Sequence, residues 1–304
     1  MTSVGIVDMR KLFGERVQEN VILAPYTSAR IGGPADIMIT ARTRDDLQEV
    51  IQICWEAELG FTLLGGGSNI LVSDRGVRGI IILNKAKETE FRMGPDPIGW
   101  AASGVVLSNF AHRCAAQGLS GLEWAATVPG TIGGAVYGNA GAFGSDTANN
   151  LLRAELLTVS GCEWWSVDQM KYDYRSSVLK NHTEKAIVLS AEFRLQNGDA
   201  ETITQTIEQF SARRKNSQPP GASMGSMFKN PPGDYAGRLI EDAGLKGTRI
   251  GNVEISTVHA NFFINHGNTC AEDVRALIIL TQKNVKEKSG INLDLEIEMI
   301  GEWE

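Results

Sequence analysis

Residues 123–144 read EWAATVPGTIGGAVYGNAGAFG, and no charged group stands between Glu123 and Asp146. Backbone so free of side chains can lie against a flat ligand, and it serves equally where strand corners pack closely. It is not a Walker phosphate loop, because no Gly-Lys-Ser/Thr follows, nor the GxGxxG turn that opens a dinucleotide-binding helix. An earlier run bears on the choice. In GGGSN, residues 65–69, three glycines follow the apolar strand FTLL. Their N–H groups can converge on a pyrophosphate oxygen without Cβ obstruction, although a tight turn or bulge asks for the same residues.

Around these loops the chain alternates between helix and strand. RDDLQEVIQICWEAEL, residues 44–59, sets Leu47, Val50, Ile51, Cys54 and Trp55 at helical spacing, with Gly60 as the stop. FRMGPDPIGWAASGVV predicts two strands about a Pro-Gly turn, and Ser108 is the expected cap of a helix ending at Gly118. Residues 151–195 are strand-like around the polar loop DQMKYDYRSSVLKNHTEK, so a β-rich lobe is expected. From about residue 201 the pattern is helical, and Pro219-Pro220-Gly221 marks a domain boundary. Beyond it come a helix YAGRLIEDAG, a strand HANFFIN, a long helix from Ala271 and a final strand LDLEIEMI. The long helix opens with the capping-box spacing Thr269-Cys-Ala-Glu272.

Length and charge bound the function. A chain of 304 residues holds two or three packed units. A net charge of −7 lacks the basic face that nucleic acid requires. Cys54, Cys114, Cys162 and Cys270 are scattered without metal-ligand spacing, which fits a reducing cytoplasm. The segment MTSVGIVDMRKLFGERV has no apolar core of a signal peptide, and no stretch reaches the roughly 18 apolar residues of a membrane span.

In order along the chain, LGGGSNILV, GLEWAATVPGTIGGAVYGNAGAFG, YRSS, GSMFKNPPG, RLIEDAGLKGTRIG, HANFFIN and LEIEMIG resemble the UDP-N-acetylenolpyruvoylglucosamine reductases (MurB), nearly end to end. The compact length is similar to their type II form. The resemblance implies an α+β fold: a two-lobed FAD-binding module of the PCMH type, residues 1–85 and 86–200, then a smaller α/β substrate-binding domain, residues 210–304. It implies FAD, NADPH as co-substrate, and conversion of UDP-N-acetylglucosamine enolpyruvate to UDP-N-acetylmuramate for peptidoglycan, in the cytoplasm. Oligomeric state is left open. FAD contacts are expected at Gly65, Gly66, Gly67, Ser68 and Asn69, at Pro129, Gly130, Thr131, Gly134, Asn139 and Gly141, and at Arg214.

The reaction so implied needs a hydride at one carbon, a proton at its neighbour and stabilisation of the enolate between. Flavin chemistry supplies the first, which leaves the protein orientation, charge and the proton. Ser226 of GSMFKNPPG matches the family's proton donor, with Lys229 a neighbour able to offset its alkoxide. Taken alone, a serine here more often hydrogen-bonds backbone in a turn. Arg175 of YRSS matches the arginine whose planar fork suits the pyruvyl carboxylate, although a loop arginine is ordinarily a solvated charge. Glu296 matches the third catalytic position, where the resemblance implies that with Arg175 it stabilises the enolate, positioning the carboxylate or sharing its proton; its plain alternative, the commoner case, is an outward residue on an alternating strand. Substrate contacts are expected from Lys229, Asn230 and His259.

Two departures stand beside these matches. Glu298 occupies a position where the family usually has arginine, and Ala126 one where it more often has glycine. Two rival functions compete with this reading. A flavin-tethering oxidase would be expected to carry a histidine near the first glycine loop, and GGGSN has none. A non-catalytic binding module would have no use for Ser226, Arg175 and Glu296 together.

Overall fold

The computed structural model describes residues 9–181 and 183–303. Strands Val17–Ile22, Pro34–Ala41, Val77–Asn84 and Phe61–Leu64 lie side by side in that order. The central pair runs parallel, and it is apolar on both faces because both faces are covered. Ile37, Ile39, Ile80 and Ile82 meet Leu47, Val50, Ile51 and Cys54 of helix Arg44–Glu56. One residue out of phase, Met38, Ile81 and Leu83 fill the opposite side with Leu23 and Leu64. The helix stops short of Gly60. Ala57 caps it, and Glu58 makes the left-handed turn at φ +52°.

The second lobe is a five-stranded antiparallel sheet, in spatial order Gly161–Ser166, Leu151–Thr158, Ala186–Arg194, Ile98–Ala102 and Thr89–Arg92. Phe110 of helix Leu107–Ala116 packs against Phe91 and Phe193 with ring centroids 5.6 and 5.7 Å away. Ser108 does not cap this helix. Val106 holds the cap position, and the first turn is tied instead by Leu107 N–H donating to Gly130 O at 3.0 Å. Helix Ala200–Ser217, capped by Asp199, seats Ile203 and Ile207 in the same core. It therefore runs unbroken through residue 210. Arg44 pairs with Glu155 across the two lobes.

Beyond Pro219-Pro220-Gly221 a third core forms around Met227, Phe228, Phe263, Val274 and Leu277. Helices Ala236–Asp242 and Ala271–Ser289 cover a small antiparallel sheet of Arg249–Ile250, Val253–Ile255 and Phe263–Asn265. Only the last three residues of HANFFIN are strand, because Phe262 N–H turns back to His259 O at 3.0 Å. The capping box is also absent. Cys270 holds the cap position of the long helix without a side-chain bond. The Asp74 carboxylate, from the first lobe, accepts from Ala271 N at 2.8 Å and Glu272 N at 3.0 Å. Of LDLEIEMI, only Glu298–Ile300 is strand, and it pairs parallel with Ile70–Val72 of the first lobe. Residues 296 and 297 bend just before it.

Candidate active site

The two glycine loops meet. A Cβ on Gly66 would stand 2.9 Å from Gly130 Cα, and one on Gly65 would stand 2.7 Å from Thr131 Oγ1. Close packing therefore accounts for glycine at both positions, and the same loops wall one side of a cavity of about 1130 Å³. That volume exceeds the roughly 300–1,000 Å³ of a cleft for one small ligand. Gly138 lines it too, and no protein atom lies within 4 Å of the place a Cβ would take, so packing does not require glycine there.

The cofactor positions Gly65, Gly66, Gly67, Ser68, Asn69, Pro129, Gly130, Thr131, Gly134, Gly141 and Arg214 all line this cavity. The neighbouring Arg213 and Lys215 do not line it. Burial pulls the Arg214 guanidinium down, and among the described residues no carboxylate pairs with it. Side-chain-free backbone, a half-buried cation without a carboxylate and the room at Gly138 fit a flavin dinucleotide. Asn139 is turned to another task. It ends helix Ile132–Gly138 at φ +47°, and its side chain bonds Asp146, Asp173 O and Ala148 N.

Ser226, Arg175 and Glu296 line the same cavity. The serine sits on a segment clamped from both sides: Met227 N donates to Asn261 O at 2.8 Å, and Met227 O accepts from Glu296 N at 2.9 Å. Met227 and Phe228 are fully buried and anchor it. Among the described residues the Ser226 hydroxyl makes no hydrogen bond, so the turn does not consume it. Arg175 occupies the left-handed region at φ +53°, a strained choice for a side chain of this size. Its Nε donates to Glu296 Oε1 at 2.9 Å and its Nη2 to Gly141 O at 2.8 Å. Glu296 lies on the bend, not on an alternating strand, and Asn69 Nδ2 holds its carbonyl at 3.0 Å.

The expected substrate contacts are not brought here: Lys229, Asn230 and His259 do not line the cavity. Asn230 Oδ1 accepts from Ala236 N at 3.0 Å, securing the start of a helix. His259 Nδ1 accepts from Asn261 N at 3.2 Å beside Phe262, and burial lowers its pKa. Ala126 is core rather than cavity wall, so its methyl group does not separate backbone from ligand. Tyr137, Lys180 and Glu298 do line the cavity. Lys180 lies in the same loop as Arg175, but nothing local in YRSSVLKN distinguishes it from a solvated lysine.

Comparison with known proteins agrees with this geometry. The profile of the UDP-N-acetylenolpyruvoylglucosamine reductase C-terminal domain matches residues 216–300, and that of an FAD binding domain matches residues 35–165. The UDP-N-acetylenolpyruvoylglucosamine reductase of Chloroflexus aurantiacus is 43% identical over 283 residues, spanning 91% of this chain and 95% of its own. That of Rubrobacter xylanophilus is 40% identical over 280 residues, spanning 92% and 94%. The crystal structure of UDP-N-acetylenolpyruvylglucosamine reductase (MurB) from Thermus caldophilus superposes with a TM-score of 0.79 at 34% identity, covering 93% of this chain and 98% of that one. With its two glycine loops joined and full-length relatives this similar, the chain belongs to the UDP-N-acetylenolpyruvoylglucosamine reductase family.

Proposed function

We propose that Ser226 delivers the proton, that Arg175 grips the pyruvyl carboxylate and that Glu296 orients Arg175. As a member of its family the chain is an FAD-dependent oxidoreductase that reduces UDP-N-acetylenolpyruvoylglucosamine in peptidoglycan synthesis. NADPH is the proposed source of reducing equivalents and the cytoplasm the proposed location; no helix is long and apolar enough to cross a membrane. We assign the FAD-binding module to the first two cores and the substrate domain to the third.

The convergence of Ser226, Arg175 and Glu296 on a cavity walled by both glycine loops carries this reading. When bound and reduced by NADPH, FAD would supply the hydride for one carbon of the enolpyruvyl double bond. The neighbouring carbon then takes a proton, and the carboxylate carries the enolate charge until it arrives. A guanidinium fixed by Glu296 and Gly141 presents its remaining N–H groups to that carboxylate. The serine hydroxyl, not engaged by any described residue, is available to the second carbon, and the cations lining the cavity oppose the alkoxide left behind.

Anaerobic titration tests the assignment. NADPH should bleach the flavin, and UDP-N-acetylglucosamine enolpyruvate should restore its colour. Ser226→Ala should bleach normally and recolour about 10²–10⁴-fold more slowly; recolouring at the wild-type rate removes Ser226 from the proton step. The GGGSN loop carries no histidine of the kind a flavin-tethering oxidase would use, and non-covalent flavin is proposed on that ground. Acid precipitation should therefore leave the yellow colour in the supernatant.

A further inference from the structure

Lys180 belongs neither to the trio nor to the glycine loops, yet it lines their cavity with only 15% of its side chain exposed. Taking an ammonium ion out of water is costly unless charge partners and acceptors replace its hydration. Lys180 Nζ has one such partner, Glu298 Oε1, at 3.4 Å. That is longer than the roughly 2.7–2.9 Å of a tight charge-assisted hydrogen bond. Among the described residues nothing else accepts from this amine, which carries three donors.

The carboxylate that holds Lys180 is itself held. Glu298 N donates to Asn69 O at 2.9 Å, fixing it to the first glycine loop. Tyr137 lines the cavity beside Glu298, and burial together with that nearby carboxylate pushes its phenol up to about 12, so it keeps its proton. Tyr137 rides on the short helix that follows the second glycine loop. Arg175, by contrast, already commits two nitrogens to Glu296 and Gly141. Its planar fork suits a carboxylate, whereas a compact ammonium with rotatable donors suits a phosphate.

We propose that Lys180 is an anion-binding residue of this cavity, presented by Glu298 to a phosphate of a nucleoside diphosphate ligand. The proposal rests on the reading that the cavity holds FAD and a UDP-sugar, both of which carry a diphosphate. Glu298 is a positioning residue: it offsets the ammonium charge and keeps the amine in place when a phosphate adds the missing acceptors.

The test compares wild type, Lys180→Gln, Lys180→Arg and Glu298→Gln in two arms. In one, FAD is titrated into flavin-stripped protein and its fluorescence followed. In the other, UDP-N-acetylglucosamine, which has a diphosphate but no pyruvyl carboxylate, is titrated into the oxidised holoenzyme and flavin absorbance followed. Lys180→Gln should weaken one of these affinities about tenfold or more, as expected for a lost hydrogen bond to a charged group. Lys180→Arg should restore most of it, and Glu298→Gln should weaken the same affinity and not the other. Loss in the FAD arm identifies the cofactor as the phosphate source; loss in the sugar arm identifies the substrate. A folded Lys180→Gln with both affinities within about twofold of wild type overturns the proposal, and Lys180→Met replaces it if Lys180→Gln does not fold. Wild-type protein that takes up no flavin would instead refute the underlying reading.

Discussion

Gly66 and Gly138 line one cavity for different reasons, and alanine at each should separate them. At Gly66 the added methyl group would stand 2.9 Å from Gly130 Cα, inside the 3.4 Å at which ordinary contact begins. No flexible side chain is available to yield, so the two loops must part by about half an ångström along backbone. Overpacking of this kind costs about 1–3 kcal/mol, or about 2–12 °C in Tm at the 2–4 °C per kcal/mol of larger chains. At Gly138 nothing stands within 4 Å, and the residue ends a helix. Alanine there should leave the flavin-free protein as stable as wild type, or up to about 1 kcal/mol more stable through lower chain entropy. Its methyl group nevertheless occupies ligand space, so FAD affinity should fall. Thermal melts of flavin-stripped protein and fluorescence titration with FAD distinguish the two. The reasoning fails if Gly66→Ala melts like wild type, or if Gly138→Ala binds FAD with unchanged affinity.

Asp74→Ala removes the acceptor for two N–H groups of helix Ala271–Ser289 and should cost about 0.5–2 kcal/mol in urea unfolding. Thr269→Ala should cost much less, because the buried Thr269 hydroxyl has no partner; equal costs would contradict the assignment of the cap to Asp74. His259 is held below its ordinary pKa by burial, so the unfolded chain takes up its proton first. Its stabilising contribution is complete above the unfolded value of about 6.5 and is lost as pH falls below it. Unfolding free energies across that range should fall less steeply for His259→Gln than for wild type, and parallel slopes would count against this.

Local patterns were legible where local contacts decide structure. The spacing of Leu47, Val50, Ile51 and Cys54 gives the helix that buries them, and the apolar run at residues 80–83 gives a strand covered on both faces. Three features failed for a shared reason. Thr269 and Ser108 each stand where a cap would act, but Asp74 and Gly130, distant in sequence, satisfy those helix starts. LDLEIEMI alternates like a strand, yet Met227 and Asn69 draw Glu296 into a bend. The glycine runs admitted a packing reading and a binding reading, and both hold at Gly65 and Gly66, because each loop is the other's wall. Lys180, Tyr137 and Glu298 come from three separate segments, and no spacing within any one of them records the meeting.

The parallel pairing of Glu298–Ile300 with Ile70–Val72 bears on how the molecule is made. Asn69 and Glu296 are 227 positions apart. A nascent polypeptide leaving the ribosome can complete its first sheet long before the matching residues have been translated. Residues 65–69 must then wait, their neighbouring strand unpaired, until residues 298–300 emerge and pair with it. Because closing so long a loop is slow and comes late, the acid-bearing bend should be among the final parts to order, and catalytic competence should lag behind collapse of the earlier cores.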